Sequence, residues 1–119
     1  MGVKKTLPTY KLFDNETVPD GLIVVSSPTN ITNLDNISIQ CEAIGIGSYN
    51  PLTRFSVLVS NDNLNYYPLD LQYPDFSLLD YSFIININEL SQPWIKFQFN
   101  NASGNDVNLN VTIFGKDLN

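Results

Sequence analysis

Apolar and polar residues alternate with a period of two along most of this chain, most clearly in four stretches. Phe55, Val57 and Val59 alternate with Ser56, Leu58 and Ser60. Ile37, Ile39, Cys41 and Ala43 share one phase of 36–44, Ile95, Phe97 and Phe99 one phase of 94–100, and Val107, Leu109, Val111 and Ile113 one phase of 107–113. Such spacing predicts strands with one buried face. After the first of these, Ser60-Asn61-Asp62-Asn63 supplies side chains that bond their own backbone and tolerate a left-handed φ, so the chain turns before Tyr66 and Tyr67 resume an apolar run. This predicts a central hairpin covered by the remaining strands. Leu22-Ile23-Val24-Val25 is apolar on both faces, which predicts burial between two layers. Phe76 to Asn88, following the Tyr73-Pro74-Asp75 break, places Phe83, Ile85 and Ile87 on one face. Gly45 to Pro51 reads as a loop whose Ile46 and Tyr49 offer a contact surface, and Asn101 to Asp106 is the strongest turn signal. Seven or eight strands with no amphipathic helix predict an all-β fold, an antiparallel two-sheet β-sandwich of jelly-roll type.

Residues 1–20 differ in character. Lysines and acids alternate with Pro8, Pro19 and scattered apolar residues, and no period is sustained. Two readings fit: a frayed terminus, or an extended N-terminal arm that orders on a neighbouring subunit through Leu7, Tyr10, Leu12 and Phe13. The sandwich domain is then expected over 21–119. No apolar stretch follows Lys4 and Lys5, so a secretory signal is expected to be absent, or removed and replaced by a new Met, and no apolar run approaches the ~20 residues of a membrane span.

The formal charge of −6 argues against nucleic acid as a partner, because only six Lys and Arg exist and three of them lie in the first eleven residues. Cys41 has no second cysteine to pair with and sits on the apolar phase of its strand, as a small buried hydrophobe does. Asn-x-Ser/Thr sequons at Asn15, Asn30, Asn36, Asn101 and Asn110 are read mostly as coincidence in so Asn-rich a chain.

The inventory for chemistry is short. Without histidine, Ser-His-Asp and Cys-His arrangements cannot form, and the common zinc sites lose their main ligand. No phosphate-binding glycine loop occurs. Asp70, Asp75 and Asp80 are close enough in sequence for a carboxylate pair, but nothing sets their separation. Asn61, Asp62, Asn63 and Asn65 offer hard oxygens from one turn, without the spacing of a known calcium loop. No catalytic residue, metal or cofactor is therefore expected. Trp94 and the tyrosines at 49, 66, 67, 73 and 81 are the aromatics a sugar-stacking surface needs, although Trp94, at a strand start after Pro93, reads first as a cover for the core edge.

Two stretches carry a resemblance. Phe55 through Tyr67 is similar to the strand, Ser-x-Asp turn and following aromatic of the discoidin (coagulation-factor C-type) jelly-roll family. Trp94-Ile95-Lys96-Phe97-Gln98-Phe99, with the closing Val107 to Gly115, resembles that family's last two strands. The chain departs from it in being shorter, in lacking the end-to-end disulfide, and in having Lys96 where arginine is commoner. This stripped pattern resembles small bacteriophage virion proteins. The resemblance implies a non-enzymatic structural protein of the virion, made in the host cytoplasm: a capsid decoration or cement protein, or a spike or fibre component. Its implied partners are other virion proteins and copies of itself, with no nucleic acid or membrane. The alternative is a carbohydrate-binding or adhesion module, recognising a host surface glycan through loops at Tyr49, Asn61, Asp62, Asn63, Asn65 and Tyr73.

Overall fold

The structure, a computed structural model, describes residues 9–32, 34, 36–46, 52–69 and 80–116, with backbone alone for Asp80, Tyr81 and Lys116. These residues form β1 (Thr9–Val18), β2 (Ile23–Val25), β3 (Thr29–Asn30), β4 (Asn36–Ile44), β5 (Arg54–Ser60), β6 (Tyr67–Pro68), β7 (Asp80–Ile87), β8 (Trp94–Asn100) and β9 (Val107–Lys116), with no helix among them. The strands make two antiparallel sheets packed as a sandwich. One has the order β1-β9-β4-β7; the other has the order β2-β8-β5-β6, with β3 also paired to β8.

The four alternating stretches are β4, β5, β8 and β9, and every residue on their apolar phase is buried. In the first sheet β4 lies between β9 and β7, so Cys41 stands in one row with Val111 and Phe83. Burial pushes its thiol well above the ordinary range, and neighbouring Glu42 adds to the shift. In the second sheet the Phe55 ring lies 4.9 Å from Phe97 and 4.7 Å from Phe99, and 5.0 Å from Phe83 of the facing sheet. Aromatic pairs at such spacings add about 0.5–1.5 kcal/mol each beyond area burial, and the Phe55–Phe83 pair joins the two layers.

Three expectations need correcting. Thr9–Val18 is not an arm but an edge strand on β9, so the sandwich begins well before residue 21. Phe13 is buried in the core, and Tyr10 and Leu12 pack half-buried against it. Two register shifts, between Lys11 and Phe13 and between Phe13 and Glu16, break the period of two, and Asn15 adopts a φ of 53°. Leu7 lies outside the described residues. Second, β2 is an edge strand and not a doubly buried one: Ile23 and Val25 are exposed. Third, Ile46 is buried in the core and offers no contact surface.

The second sheet has an interruption that a serine repairs. β2 and β3 follow one another along the same side of β8, and Ser26 sits between them. Its backbone N–H donates to the Phe97 carbonyl at 2.9 Å, and its Oγ accepts from the Phe97 N–H at 2.9 Å. A buried backbone donor left unpaired would cost about 1–3 kcal/mol, which the hydroxyl avoids. Gly45, at the end of β4, has a φ of 102°, and a Cβ there would meet the Asp106 carbonyl at 2.9 Å. A side chain there would be both strained and crowded.

Asn101 follows β8 and is fully buried. Its Nδ2 donates to the carbonyls of Val18 (2.9 Å) and Asn105 (2.8 Å), and its Oδ1 accepts from the Ser103 N–H and hydroxyl. Its backbone accepts from Gly21 N–H and donates to the Leu22 carbonyl. Of the sequon asparagines, Asn36 and Asn101 are thus buried and Asn110 lies mid-strand.

Asn101→Asp keeps the shape but turns an anionic oxygen toward carbonyls that now meet two N–H donors. Destabilisation of roughly 3–5 kcal/mol is expected, read as a lower urea midpoint; an unmoved midpoint would show that the amide is not a lock. The folded Cys41 is expected to ignore a thiol reagent until the chain unfolds, so labelling should follow the global unfolding rate.

Candidate functional site

The candidate ligand residues that the structure describes fall in the turn after β5. Ser60 is almost fully buried and organises it. Its Oγ accepts from the N–H groups of Asp62 (3.2 Å) and Asn63 (3.0 Å) and donates to Asp62 Oδ1 at 2.9 Å. Asp62 Oδ1 also accepts from the N–H groups of Leu64 and Asn65, each at 2.9 Å, while Oδ2 accepts from Asn65 Nδ2 at 3.1 Å. The Asn65 and Leu64 backbone donors, then the Ser60 hydroxyl and the Asn65 amide, hold this carboxyl well below the usual carboxylate range. Side chains of Ser, Asn and Asp thus take the place of backbone partners, as such turns require.

A second branch runs outward. Asn63, with a φ of 60°, accepts through Oδ1 from the Tyr66 hydroxyl. The Lys96 ammonium sits over the Tyr66 ring, 4.1 Å from its centroid. Partial burial, and then the Asp62 charge, raise the Tyr66 hydroxyl above its ordinary value. Lys96 faces this turn because β5 and β8 are paired with Leu58 opposite Lys96 and Ser60 opposite Trp94.

The same register brings the chain before Trp94 alongside the turn. Between them lies a groove of about 200 Å³ lined by Val59, Ser60, Asn61, Asp62, Asn65, Tyr67 and Gln92. Of the expected ligand residues, Asn61, Asp62 and Asn65 meet here, whereas Asn63 belongs to the turn without lining the groove. Tyr49 and Tyr73 lie outside the described residues, as do Asp70 and Asp75. Tyr67 was visible in sequence as an aromatic, but Gln92 carried no signal, because its place depends on pairing between strands far apart in the chain. Trp94 is half-buried at the start of β8, between Asn30 and Ser60 of the neighbouring strands.

The oxygens considered for a cation are largely engaged within the turn: both oxygens of Asp62 and Oδ1 of Asn63 already accept hydrogen bonds. Among the described residues no three His, Cys, Asp or Glu side chains converge. What the groove offers instead is amides, one carboxylate, a hydroxyl and an exposed ring. In comparisons with known proteins, no family model and no curated protein matches the chain.

Because the folded Asp62 carboxyl titrates below its unfolded value, its contribution to the turn is complete above about pH 4 and is lost only as pH falls toward the folded value. NMR titration of the Asp62 carboxyl carbon is expected to find it still ionised at about pH 3. A midpoint at the ordinary carboxylate value would show that the hydrogen bonds are not formed in solution.

Proposed function

We propose that this protein is a non-enzymatic structural component of a bacteriophage virion, a sandwich that decorates a shell or builds a spike or fibre, and that it docks through the free edge of β2. The observation that carries the docking is the exposure of Leu22 (49%), Ile23 (58%) and Val25 (46%) on that edge. By antiparallel alternation Val24 exchanges hydrogen bonds with Phe99 of β8, so the N–H and C=O groups of Ile23 and Val25 point away from the sheet. Proteins usually blunt such an edge with lysine, proline or a bulge; Ile23-Val24-Val25 holds none of these. Leu52, just before β5 on the other side of β8, is also exposed, its carbonyl held by Asn100 Nδ2 at 2.8 Å.

An added strand would satisfy the free backbone groups and cover the apolar side chains together, and many copies acting at once would multiply a weak contact. The discoidin-like pattern of Phe55 to Tyr67 and Trp94 to Gly115 is the sequence side of the same reading. From sequence, attachment is expected through both the N-terminal arm and the sandwich edge; with Phe13, Tyr10 and Leu12 committed to the sandwich, the edge is the contact retained in the proposal.

Mass spectrometry of density-purified virus particles from the source is expected to contain the chain, and its absence from them would overturn the virion assignment. Sedimentation at rising concentration is expected to show self-association, abolished by Ile23→Lys with Val25→Lys while the melting temperature stays within a few degrees. A chain that remains monomeric at millimolar concentration, or a double variant that associates as the parent does, would remove the edge from the proposal.

A further inference from the structure

We propose that the groove between the turn after β5 and Gln92 is a binding site for one neutral hexopyranose unit, such as the terminal residue of a glycan. The site lies at the β6 side of the second sheet, the side opposite the β2 edge, and the inference stands independently of the docking proposal.

Size comes first. A groove of about 200 Å³ is smaller than the roughly 300–1,000 Å³ that hold drug-sized ligands, and suits a single ring. Next is the chemistry of its lining. Asn61 and Gln92 make no hydrogen bond among the described residues, and each amide supplies two donors and an acceptor. Among the described residues Asp62 Oδ2 accepts from Asn65 Nδ2 alone, which leaves it capacity for a ligand hydroxyl. Vicinal hydroxyls of a pyranose, each both donor and acceptor, match a carboxylate flanked by two amides. Tyr67 is 66% exposed, and its ring offers a flat apolar face for the C–H side of the sugar.

Charge then narrows the class. The lining contains one carboxylate and no lysine or arginine. Lys96, on the strand paired with β5, is engaged over Tyr66, and neither lines the groove. An anionic sugar or a phosphate would therefore meet an uncompensated Asp62, whereas a neutral ring meets a strong acceptor. Rigidity adds to this. Four hydrogen bonds fix the Asp62 carboxylate, so little ordering remains to be done on binding. A single shallow ring site gives weak affinity, which copies presented together would raise.

The test is a titration of the ¹⁵N-labelled chain, followed by two-dimensional NMR, with the methyl glycosides of glucose, galactose, mannose, N-acetylglucosamine and N-acetylgalactosamine. N-acetylneuraminic acid and inorganic phosphate serve as the anionic arms. At least one neutral glycoside is expected to give saturable, millimolar shifts confined to Asn61, Asp62, Asn65, Tyr67 and Gln92, including the side-chain amides of Asn61 and Gln92. Tyr67→Ala and Asn61→Ala change exposed positions, and each is expected to weaken that binding by at least about tenfold while the remaining spectrum is unchanged. No saturable shift with any neutral glycoside would overturn the inference. Preferential binding of either anion, or neutral binding that both variants keep, would overturn it equally.

Discussion

Where the two sheets meet, a buried polar corner has to be closed, and the Asn101 amide closes it. Val18 ends β1 in one sheet, while Leu22 leads into β2 and Asn101 leaves β8 in the other. Val18 and Asn101 are fully buried, so the backbone groups freed there need protein partners. One amide group, with its own backbone, meets donors and acceptors from four places in the chain. The aromatic contacts of Phe55, Phe83, Phe97 and Phe99 hold the layers together by area and dispersion, but they are not directional enough to fix how the layers are joined. The amide is directional. The core therefore supplies cohesion, and the corner supplies the particular geometry in which β2 lies on β8 and β1 on β9.

Legibility in the sequence followed burial on one face. β4, β5, β8 and β9 could be read because each has a buried and an unburied side over seven or more residues, and nothing interrupts the alternation. β1 could not, because its two register shifts put Phe13 out of phase with Tyr10, Leu12 and Val18. β2 misleads for a different reason. Its apolar run is the same in composition as a strand between two layers, and composition does not say whether the second layer exists. Ile46 lies between two glycines, a loop pattern in sequence, yet it is drawn into the core. The turn at Ser60 to Asn65 was legible because its bonds are local. Its groove was not, since Gln92 arrives only through the pairing of β5 with β8.

The second sheet keeps its two proposed surfaces apart. β2 forms one side, and the Tyr67 groove lies by β6 at the other, with β8 and β5 between them. A body attached by one side would leave the other turned outward. The properties of the two sides differ accordingly. The β2 edge is apolar with free backbone groups, and so resembles a surface for strand addition; the groove has its backbone groups satisfied by Ser60 and Asp62 and presents side-chain amides instead. Ile23 and Val25 on one side and Asn61 and Tyr67 on the other are exposed, so these positions can change without loss of the fold, whereas Val24 and Val59 pack with the core.

The pairing of β1 with β9 also bears on how the molecule is made. Thr9 to Val18 leaves the ribosome well before its partner, Val107 to Lys116. At about 5–20 residues per second the nascent strand waits some 5–20 s with its ladder unmade. During synthesis the first sheet is short of β9, which lies between β1 and β4, while β5, β6 and β8 can already assemble. The long sequence separation of that pair makes its closure an entropically costly, late step. The emerging chain thus passes through half a sandwich, with one layer's inner face uncovered until β9 arrives.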